Sequence, residues 1–310
     1  MKIQFSKPEQ PHFGTYAVCV LDDRKLTPAA AALDKKTGGV LTRAMGASRF
    51  RGRKDESLEI LAPKGMPIGR IVALGLGKVS ELDALRLEAV GGNLVAHLNK
   101  AGESTATVQV DTLADAKLTP AEMAAHIAYG AKLRSYRFDK YRTREKEENK
   151  PTLKSFTLLV TDFAAARKAF APLDKLADAI YVTRDLVSEP PNVIYPETLA
   201  ERCKRLAAFG VKVEVLDEKQ MAKLGMGALL GVAQGSQRAP RLGVMRWDGA
   251  TKDKDKRPVA FCGKGVTFDT GGISIKPSAG MEDMKWDMAG AAVVVGVIEA
   301  LAARRAKVNA

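Results

Sequence analysis

Length, composition and charge set the first limits on this protein. The chain has 310 residues, 46% of them hydrophobic, so it can bury a full core, and we expect two domains. The net charge of +13 would suit a nucleic-acid partner, but the basic residues are spread along the chain and accompany no nucleic-acid-binding motif. The N-terminus lacks the apolar run of a signal peptide, and the late apolar stretch at 288–298 is too short to span a bilayer. We therefore expect a cytoplasmic protein without a membrane partner.

The first half of the chain alternates strand-like and helical patterns. Apolar runs predict strands at 13–21, 57–63, 70–76 and 155–160. Apolar residues at three- and four-residue spacing predict helices at 81–98 and 120–133, the second with Thr119 as its N-cap. The highly charged residues 136–151 predict an exposed connection. The alternation indicates an α/β domain, which we place at residues 1–163.

The second half begins with a long amphipathic pattern. It predicts a helix at 164–188, ended by Pro190 and Pro191, and we interpret residues 164–190 as a link between domains. Further helices are predicted at 196–209, 218–223 and 288–305, and strands at 212–216, 228–233, 241–247 and 258–262. Consecutive apolar residues in the last strand suit a central strand that is covered on both faces. Its carboxyl end is where open α/β sheets usually bind ligands.

A glycine-punctuated segment follows that strand. Residues 263–277 read GKGVTFDTGGISIKP, and Asp287 lies ten residues further on. Lys264, Asp269, Lys276 and Asp287 stand among apolar residues in a segment that we expect to be buried, and buried unpaired charges are costly. A divalent metal would neutralise them. Carboxylates are suitable ligands for zinc, manganese or magnesium, and one carboxylate can bridge two ions about 3.5 to 4 Å apart.

Lysine is an unusual component of a metal site. To bind a metal, a lysine amine must be neutral, so its pKa has to fall from about 10.4 to about 7. A neighbouring dication in a partly desolvated site can produce such a fall. One of the two lysines can thus be a ligand, while the other stays charged and stabilises an oxyanion. The residues themselves leave open which lysine has which role.

Other types of site find less support in the sequence. His12, His97 and His126 lie in the N-terminal half without metal-ligand spacing, which disfavours a histidine zinc site or a Ser-His triad. The pair Gly263-Lys264 lacks the spacing of a phosphate-binding P-loop. The three cysteines are far apart in apolar contexts, so we expect buried, reduced thiols.

Residues 263–291 closely resemble the metal-binding core of the leucyl aminopeptidases, the cytosol aminopeptidase family of dinuclear metallo-exopeptidases. The resemblance extends to residues 184–192 and 225–236 and, less specifically, to residues 74–78. It implies a macro-like N-terminal α/β domain, a three-layer α/β catalytic domain with a mixed central sheet, and assembly as a homo-hexamer.

Carried over by position, the resemblance implies roles for five residues. Lys264, Asp269 and Asp287 would be metal ligands, Lys276 would polarise the scissile carbonyl, and Met284 would line the pocket for the substrate's first side chain. The four charged residues would also contact the substrate. The implied cofactors are two divalent ions per subunit, manganese, zinc or magnesium, together with a bicarbonate. The implied reaction is hydrolysis of the N-terminal residue, leucine or a similar one, from peptides.

One departure from the family pattern matters. A later family segment, Asn-Thr-Asp-Ala-Glu-Gly-Arg, supplies further metal ligands and the arginine that holds the bicarbonate, and this sequence contains no such segment. We therefore expect residues 191–310 to be an incomplete catalytic domain, and the chain to be a truncated, inactive piece of a longer aminopeptidase. The alternative is a non-catalytic scaffold or a nucleic-acid-binding protein that uses basic surface such as Arg49, Arg51, Arg53 and Lys54.

Overall fold

The structure is a computed structural model that describes residues 1–250 and 257–310. These residues form two compact units, Met1–Asp174 and Lys175–Ala310. The boundary falls inside a helix, Phe163–Ser188, that matches the helix predicted at 164–188. The domain limits at residues 163 and 190 stay a prediction.

A mixed sheet forms the centre of the first unit. Its strands in chain order are β1 (Lys2–Ser6), β2 (Thr15–Leu21), β3 (Lys25–Leu26), β4 (Ser57–Leu61), β5 (Arg70–Gly77), β6 (Thr105–Gln109) and β7 (Ser155–Leu159). The order across the sheet is β1-β7-β6-β2-β5-β4, with β3 paired to β2. The pairings from β1 to β5 along this order are parallel, and β4 and β3 are antiparallel to their neighbours. Every residue of β2 is buried, which fits its inner position in the sheet and its apolar sequence after Thr15.

Helices cover both faces of this sheet. They are α1 (Pro28–Lys36), α2 (Val40–Gly46), α3 (Ala84–Lys100) and α4 (Pro120–Arg134), followed by α5 (Phe163–Ser188). The predicted N-cap of α4 is confirmed: the Thr119 hydroxyl accepts the Glu122 N–H at 3.2 Å, and the Glu122 carboxylate accepts the Thr119 N–H at 2.8 Å. The predicted exposed connection at 136–151 contains only a 3₁₀ turn, Glu147–Asn149.

Two glycines allow α3 and α4 to pack at very short range. A Cβ on Gly91 would lie 1.9 Å from the Ile127 carbonyl oxygen, and a Cβ on Gly130 would lie 1.9 Å from the Glu88 carbonyl oxygen. Any side chain at either position would therefore force the two helix backbones apart.

The second unit contains a two-stranded antiparallel sheet among its described residues. Its strands are β8 (Lys212–Leu216) and β9 (Leu242–Arg246), and its helices after α5 are α6 (Pro196–Lys204), α7 (Glu218–Lys223), α8 (Gly227–Ala233) and α9 (Ala289–Ala303). A 3₁₀ helix, Arg205–Phe209, continues α6, and another, Met281–Met288, leads into α9. Leu199, Leu206, Met288, Val295 and Ile298 are central members of the core.

Two strands predicted for this unit are wrong. Residues 228–233 belong to α8, because a short apolar run does not distinguish strand from helix and alanine and leucine favour the helix. Residues 258–262 form no regular structure. Within the described residues their backbone gains one bond, from the Val259 N–H to the Asn309 carbonyl at 2.9 Å, and Val259 and Phe261 are exposed rather than covered.

The prediction of buried, reduced thiols is correct for two of the three cysteines. Cys19 and Cys203 are buried free thiols, as expected, but Cys262 is exposed because its segment runs along the surface.

In the described part of the chain, one helical stretch, Met281–Ala303, has the length and apolarity of a membrane span. Several of its residues lie in the core of the second unit, and the core helix of a soluble protein meets the same criterion. The absence of a membrane partner stays a prediction.

Candidate metal centre

Four charged side chains of the glycine-punctuated segment come together in the second unit. Asp287 lies on the 3₁₀ helix that leads into α9, and Lys264 lies on the irregular segment before it. The Ala291 N–H in the first turn of α9 donates to the Lys264 carbonyl at 2.9 Å, which holds the two segments side by side. Asp269 and Lys276 lie on the loop between them, where the Lys276 N–H donates to the Thr270 carbonyl at 2.9 Å.

The four side chains form two ion pairs. Lys264 Nζ donates to Asp287 Oδ1 at 2.5 Å. Lys276 Nζ lies 2.7 Å from Asp269 Oδ2 and donates to the Asp269 carbonyl oxygen at 2.9 Å. Lys264 also acts electrostatically on Asp269, so the two pairs belong to one cluster.

Hydrogen bonds keep the Asp269 carboxylate ionised. The Lys276 ammonium contributes most to a lowered Asp269 pKa, followed by the Gly271 N–H, which donates to Asp269 Oδ1 at 2.8 Å. The charge of Lys264 adds a smaller effect in the same direction. Asp269 is thus an anion throughout the neutral range and is available to a cation.

Glycine is structurally required at two positions of this segment. Gly271 has a φ of +99°, and a Cβ there would lie 2.5 Å from the Ser274 carbonyl oxygen. A Cβ on Gly263 would lie 2.4 Å from the Gly290 carbonyl oxygen, so the segment could not approach α9 as closely with a larger residue.

The prediction that this segment is buried is wrong. The exposed fractions of the side chains are 58% for Lys264, 41% for Asp269, 33% for Lys276 and 19% for Asp287. Ile273 and Ile275 are exposed as well. Because the charges neutralise one another near the surface, burial alone does not require an external cation here.

A more specific observation favours a metal. Asp287 Oδ2 is buried and has no hydrogen-bond partner within the described residues. Such orphaned carboxylate oxygens are rare in folded proteins, and a cation would satisfy this one. The described residues contain no group of three or more His, Cys, Asp and Glu placed to hold a metal. The donor set here is instead two carboxylates and a lysine amine, which fits a divalent ion but supplies few of the ligands that two ions need.

Met284 and the histidines take no part in the two ion pairs. Met284 is half-buried on the same 3₁₀ helix as Asp287. His97 and His126 have ordinary roles, with ring nitrogens 3.3 Å from Glu59 and 2.9 Å from Glu88, respectively.

The basic cluster at Arg49, Arg51, Arg53 and Lys54 is exposed in the first unit but includes acidic neighbours. Arg53 Nε lies 3.6 Å from Asp22 Oδ1, and the Glu56 carboxylate accepts the N–H groups of Arg51 and Arg53. These carboxylates reduce the positive potential that a nucleic acid would meet. Nucleic-acid binding therefore stays an alternative that no observation specifically favours.

Comparison with known proteins identifies the family of this chain. Residues 17–145 match the N-terminal domain of the cytosol aminopeptidase family, and residues 181–310 match the catalytic domain of the same family. The chain belongs to the cytosol aminopeptidase family. The resemblance seen in the sequence and the predicted mixed α/β fold class are thereby confirmed.

Individual relatives agree over almost the whole chain. A probable cytosol aminopeptidase of Caulobacter vibrioides is 47% identical over 312 residues, which cover 100% of this chain and 62% of the relative. A probable cytosol aminopeptidase of Chelativorans sp. is 50% identical over 309 residues, which cover 99% of this chain and 61% of the relative. The chain thus spans less than two thirds of the length of these cytosol aminopeptidases.

Solved structures show the same fold. A mutant of tomato leucine aminopeptidase superposes with a TM-score of 0.80 and 25% identity, covering 100% of this chain and 61% of that structure. The bottromycin maturation enzyme BotP in complex with Mn gives a TM-score of 0.69 and 26% identity, covering 93% of this chain and 56% of that structure. Of these two structures, the BotP complex contains manganese.

Proposed function

We propose that this chain provides the N-terminal accessory domain and part of the catalytic domain of a metal-dependent aminopeptidase. The enzyme would remove an N-terminal residue, leucine or a similar one, from peptides in the cytoplasm, where the names of its relatives place them. The observation that carries the proposal is the cluster of Lys264, Asp269, Lys276 and Asp287, with its orphaned carboxylate oxygen, inside the region matched by the family's catalytic domain. In this proposal the accessory domain covers residues 1–163, the linking helix residues 164–190 and the partial catalytic domain residues 191–310.

Three residues of the cluster would hold metal. Asp269 and Asp287 would contribute carboxylate oxygens, and Lys264 would contribute its amine after losing a proton. Asp287 would then exchange its Lys264 partner for an ion, and its buried Oδ2 would gain a partner as well. When bound, manganese or zinc ions supply Lewis acidity and a water that ionises near neutral pH.

Lys276 would act as a charged donor beside the scissile carbonyl. Two of its three N–H groups point to Asp269, one to the carboxylate and one to the backbone carbonyl, so one N–H stays available for a substrate oxygen. A fixed cation next to a developing oxyanion lowers the barrier of acyl transfer. Asp269 would thereby position Lys276 as well as bind metal. Met284 would line the pocket for the first side chain of the substrate.

We further propose that the 310 residues alone do not hydrolyse peptides. Two four-coordinate ions need more protein ligands than two carboxylates and one amine. The cluster also contains no arginine to hold a bicarbonate. For the complete enzyme we also propose the homo-hexamer that the family resemblance implies.

Leucine release from leucinamide, measured with added manganese or zinc, tests the function. The longest polypeptide encoded by the gene should release leucine, and its Lys276→Ala variant should be strongly impaired. Lys285→Ala is the matched control, since Lys285 lies on the neighbouring 3₁₀ helix with its amine over the Trp286 ring. Equal turnover of the two variants would remove Lys276 from the mechanism, and release of leucine by the 310 residues alone would overturn the proposal that they are inactive.

A further inference from the structure

The first unit contains a cavity of about 540 Å³ that the proposed peptidase chemistry does not use. It lies between one side of α1 and the carboxyl ends of β6 and β7, with lining residues that include Leu33, Gln109 and Thr161. This volume is typical of sites for small molecules, which occur preferentially at the carboxyl ends of parallel strands.

Two buried polar side chains line this cavity without complete hydrogen bonding. Tyr16 is 8% exposed, and its hydroxyl makes no hydrogen bond within the described residues. Gln109 is 7% exposed, and its Nε2 donates to the carbonyls of Val110 and Leu159 at 3.5 and 3.4 Å, while its Oε1 has no partner in the same part of the chain. The Tyr16 hydroxyl and Gln109 Oε1 therefore keep unused hydrogen-bonding capacity on the cavity wall, which a bound ligand would use.

A carboxylate lies beside these two groups. Asp111 Oδ2 accepts the Ala29 N–H at 3.2 Å at the start of α1, and its other oxygen remains free to accept. Burial, with a further effect from the Asp111 charge, raises the pKa of Tyr16 to about 12, so the phenol keeps its proton at neutral pH. One end of the cavity therefore offers a negative charge and two further oxygen acceptors, a combination that suits an ammonium group.

The other end of the cavity carries the exposed positive charge of Lys36, and the lining also includes the exposed carboxylate of Glu9. Lys36, the last residue of α1, contacts the Gln10 side chain and has further N–H groups to donate. From Ala29 to Lys36 the helix rises about 10 Å at 1.5 Å per residue. Leu33 and Met66 provide apolar surface in the lining. An extended peptide covers about 3.4 Å per residue, so about three residues separate an ammonium from a carboxylate by this distance.

We propose that this cavity binds a short peptide with two free termini, about three residues long. Its ammonium would contact Asp111, Tyr16 and Gln109, and its carboxylate would contact Lys36. All of these residues belong to the first unit, so peptide binding there would not depend on the proposed hydrolysis.

Calorimetric titration of the chain with leucylglycylglycine in the presence of EDTA tests this site. We expect saturable binding that weakens about tenfold or more when the peptide is N-acetylated or C-amidated, because each change removes a charged hydrogen-bonding partner. Tyr16→Phe and Asp111→Asn should each weaken binding of the free peptide, and both changes conserve shape. Lys36→Gln should weaken binding of the free peptide but leave binding of the C-amide unchanged.

Matched controls separate this site from general effects. Tyr141→Phe alters an exposed tyrosine, and Lys35→Gln alters the neighbouring lysine outside the cavity, so neither should change the affinity. Thermal unfolding verifies that each variant is folded. Asp269→Asn should leave this binding intact even where it abolishes hydrolysis, so the two proposals fail independently. Equal affinity for the N-acetylated peptide, tighter binding of a nucleoside diphosphate, or no saturation at millimolar peptide would overturn the proposal.

Discussion

Lys264 and Asp287 lie 23 residues apart in the sequence, yet Nζ of one is 2.5 Å from Oδ1 of the other. This ion pair occupies the place where the proposed metal would bind. An amine binds a metal only without its extra proton, so Lys264 must release a proton when manganese enters. We expect about one proton to be released per ion bound in this position.

Calorimetric titration with manganese in two buffers of different ionisation enthalpy measures that proton. Asp287→Asn should weaken manganese binding at least tenfold, because a carboxylate ligand is lost. Asp283→Asn is the matched control, since Asp283 is exposed on the same 3₁₀ helix and should leave binding unchanged. Manganese binding without proton release would exclude Lys264 as a ligand.

Lys276 should matter for the rate rather than for substrate affinity. Loss of a donor to the oxyanion typically lowers kcat about 10² to 10³-fold, because the interaction forms mainly in the transition state. In the complete enzyme, Lys276→Ala should therefore lower kcat with little change in KM, as steady-state kinetics would show. A rise in KM with unchanged kcat would assign Lys276 to ground-state binding instead.

The close contact of α3 with α4 gives a prediction about stability. Gly91→Ala should destabilise the first unit by about 1 to 3 kcal/mol, because the new Cβ would lie 1.9 Å from the Ile127 carbonyl oxygen. Gly92→Ala is the adjacent control: its Cβ would lie 3.6 Å from the Gly130 carbonyl oxygen, an ordinary contact. That variant should gain up to about 1 kcal/mol from helix propensity. Urea unfolding of the two variants measures the difference, and equal effects would contradict the described packing.

The three thiols should differ in reactivity. Cys262 is exposed, while burial raises the pKa of Cys19 to about 12 and that of Cys203 to about 11. A disulfide reagent at pH 8 should therefore titrate one thiol rapidly in the folded protein and all three after unfolding. Cys262→Ser should abolish the rapid phase. A rapid phase that persists in this variant would show that one of the buried thiols is accessible.

The same buried thiols imply a loss of stability in alkali. An unfolded cysteine ionises near pH 8.5, whereas folded Cys19 keeps its proton until about pH 12. The stabilising effect is complete below the unfolded pKa and is lost as the pH rises toward the folded value, at up to about 1.4 kcal/mol per pH unit. Between pH 9 and 11, Cys19→Ala should lose stability less steeply than the unaltered chain, as urea midpoints at each pH would show.

Local patterns predicted those elements whose signals are complete within a few residues. The Thr119 cap defines the start of α4, and β8 and α7 have the predicted bounds 212–216 and 218–223. The strand predicted at 258–262 was wrong because a strand depends on hydrogen-bonded neighbours that an apolar run does not supply. Strands β1 and β6 were missed, although the alternation of apolar and polar residues along both is typical of a strand.

The sequence predicted which residues form the candidate site but not how they are arranged. The spacing of Lys264, Asp269, Lys276 and Asp287 indicated that they act together, and the structure brings them into one cluster. Their exposure and their pairing as Lys264 with Asp287 and Lys276 with Asp269 depend on the path of the backbone, which no motif specifies. The cavity beside Tyr16 gave no sequence signal at all, because its polar groups are contributed by two strands, a helix and a loop.

The bond from the Ala291 N–H to the Lys264 carbonyl ties the start of α9 to the segment that carries one partner of the ion pair. The next residue of α9 contacts α5: the Thr183 hydroxyl donates to the Ala292 carbonyl at 3.2 Å, and Gly296 leaves room for the Thr183 side chain. A Cβ at position 296 would lie 2.1 Å from the Thr183 hydroxyl oxygen, so a larger residue there would push α9 away from α5, and the Ala291–Lys264 bond lies in the same helix. The backbone that carries this ion pair is thus anchored in part by a contact that itself carries no charge.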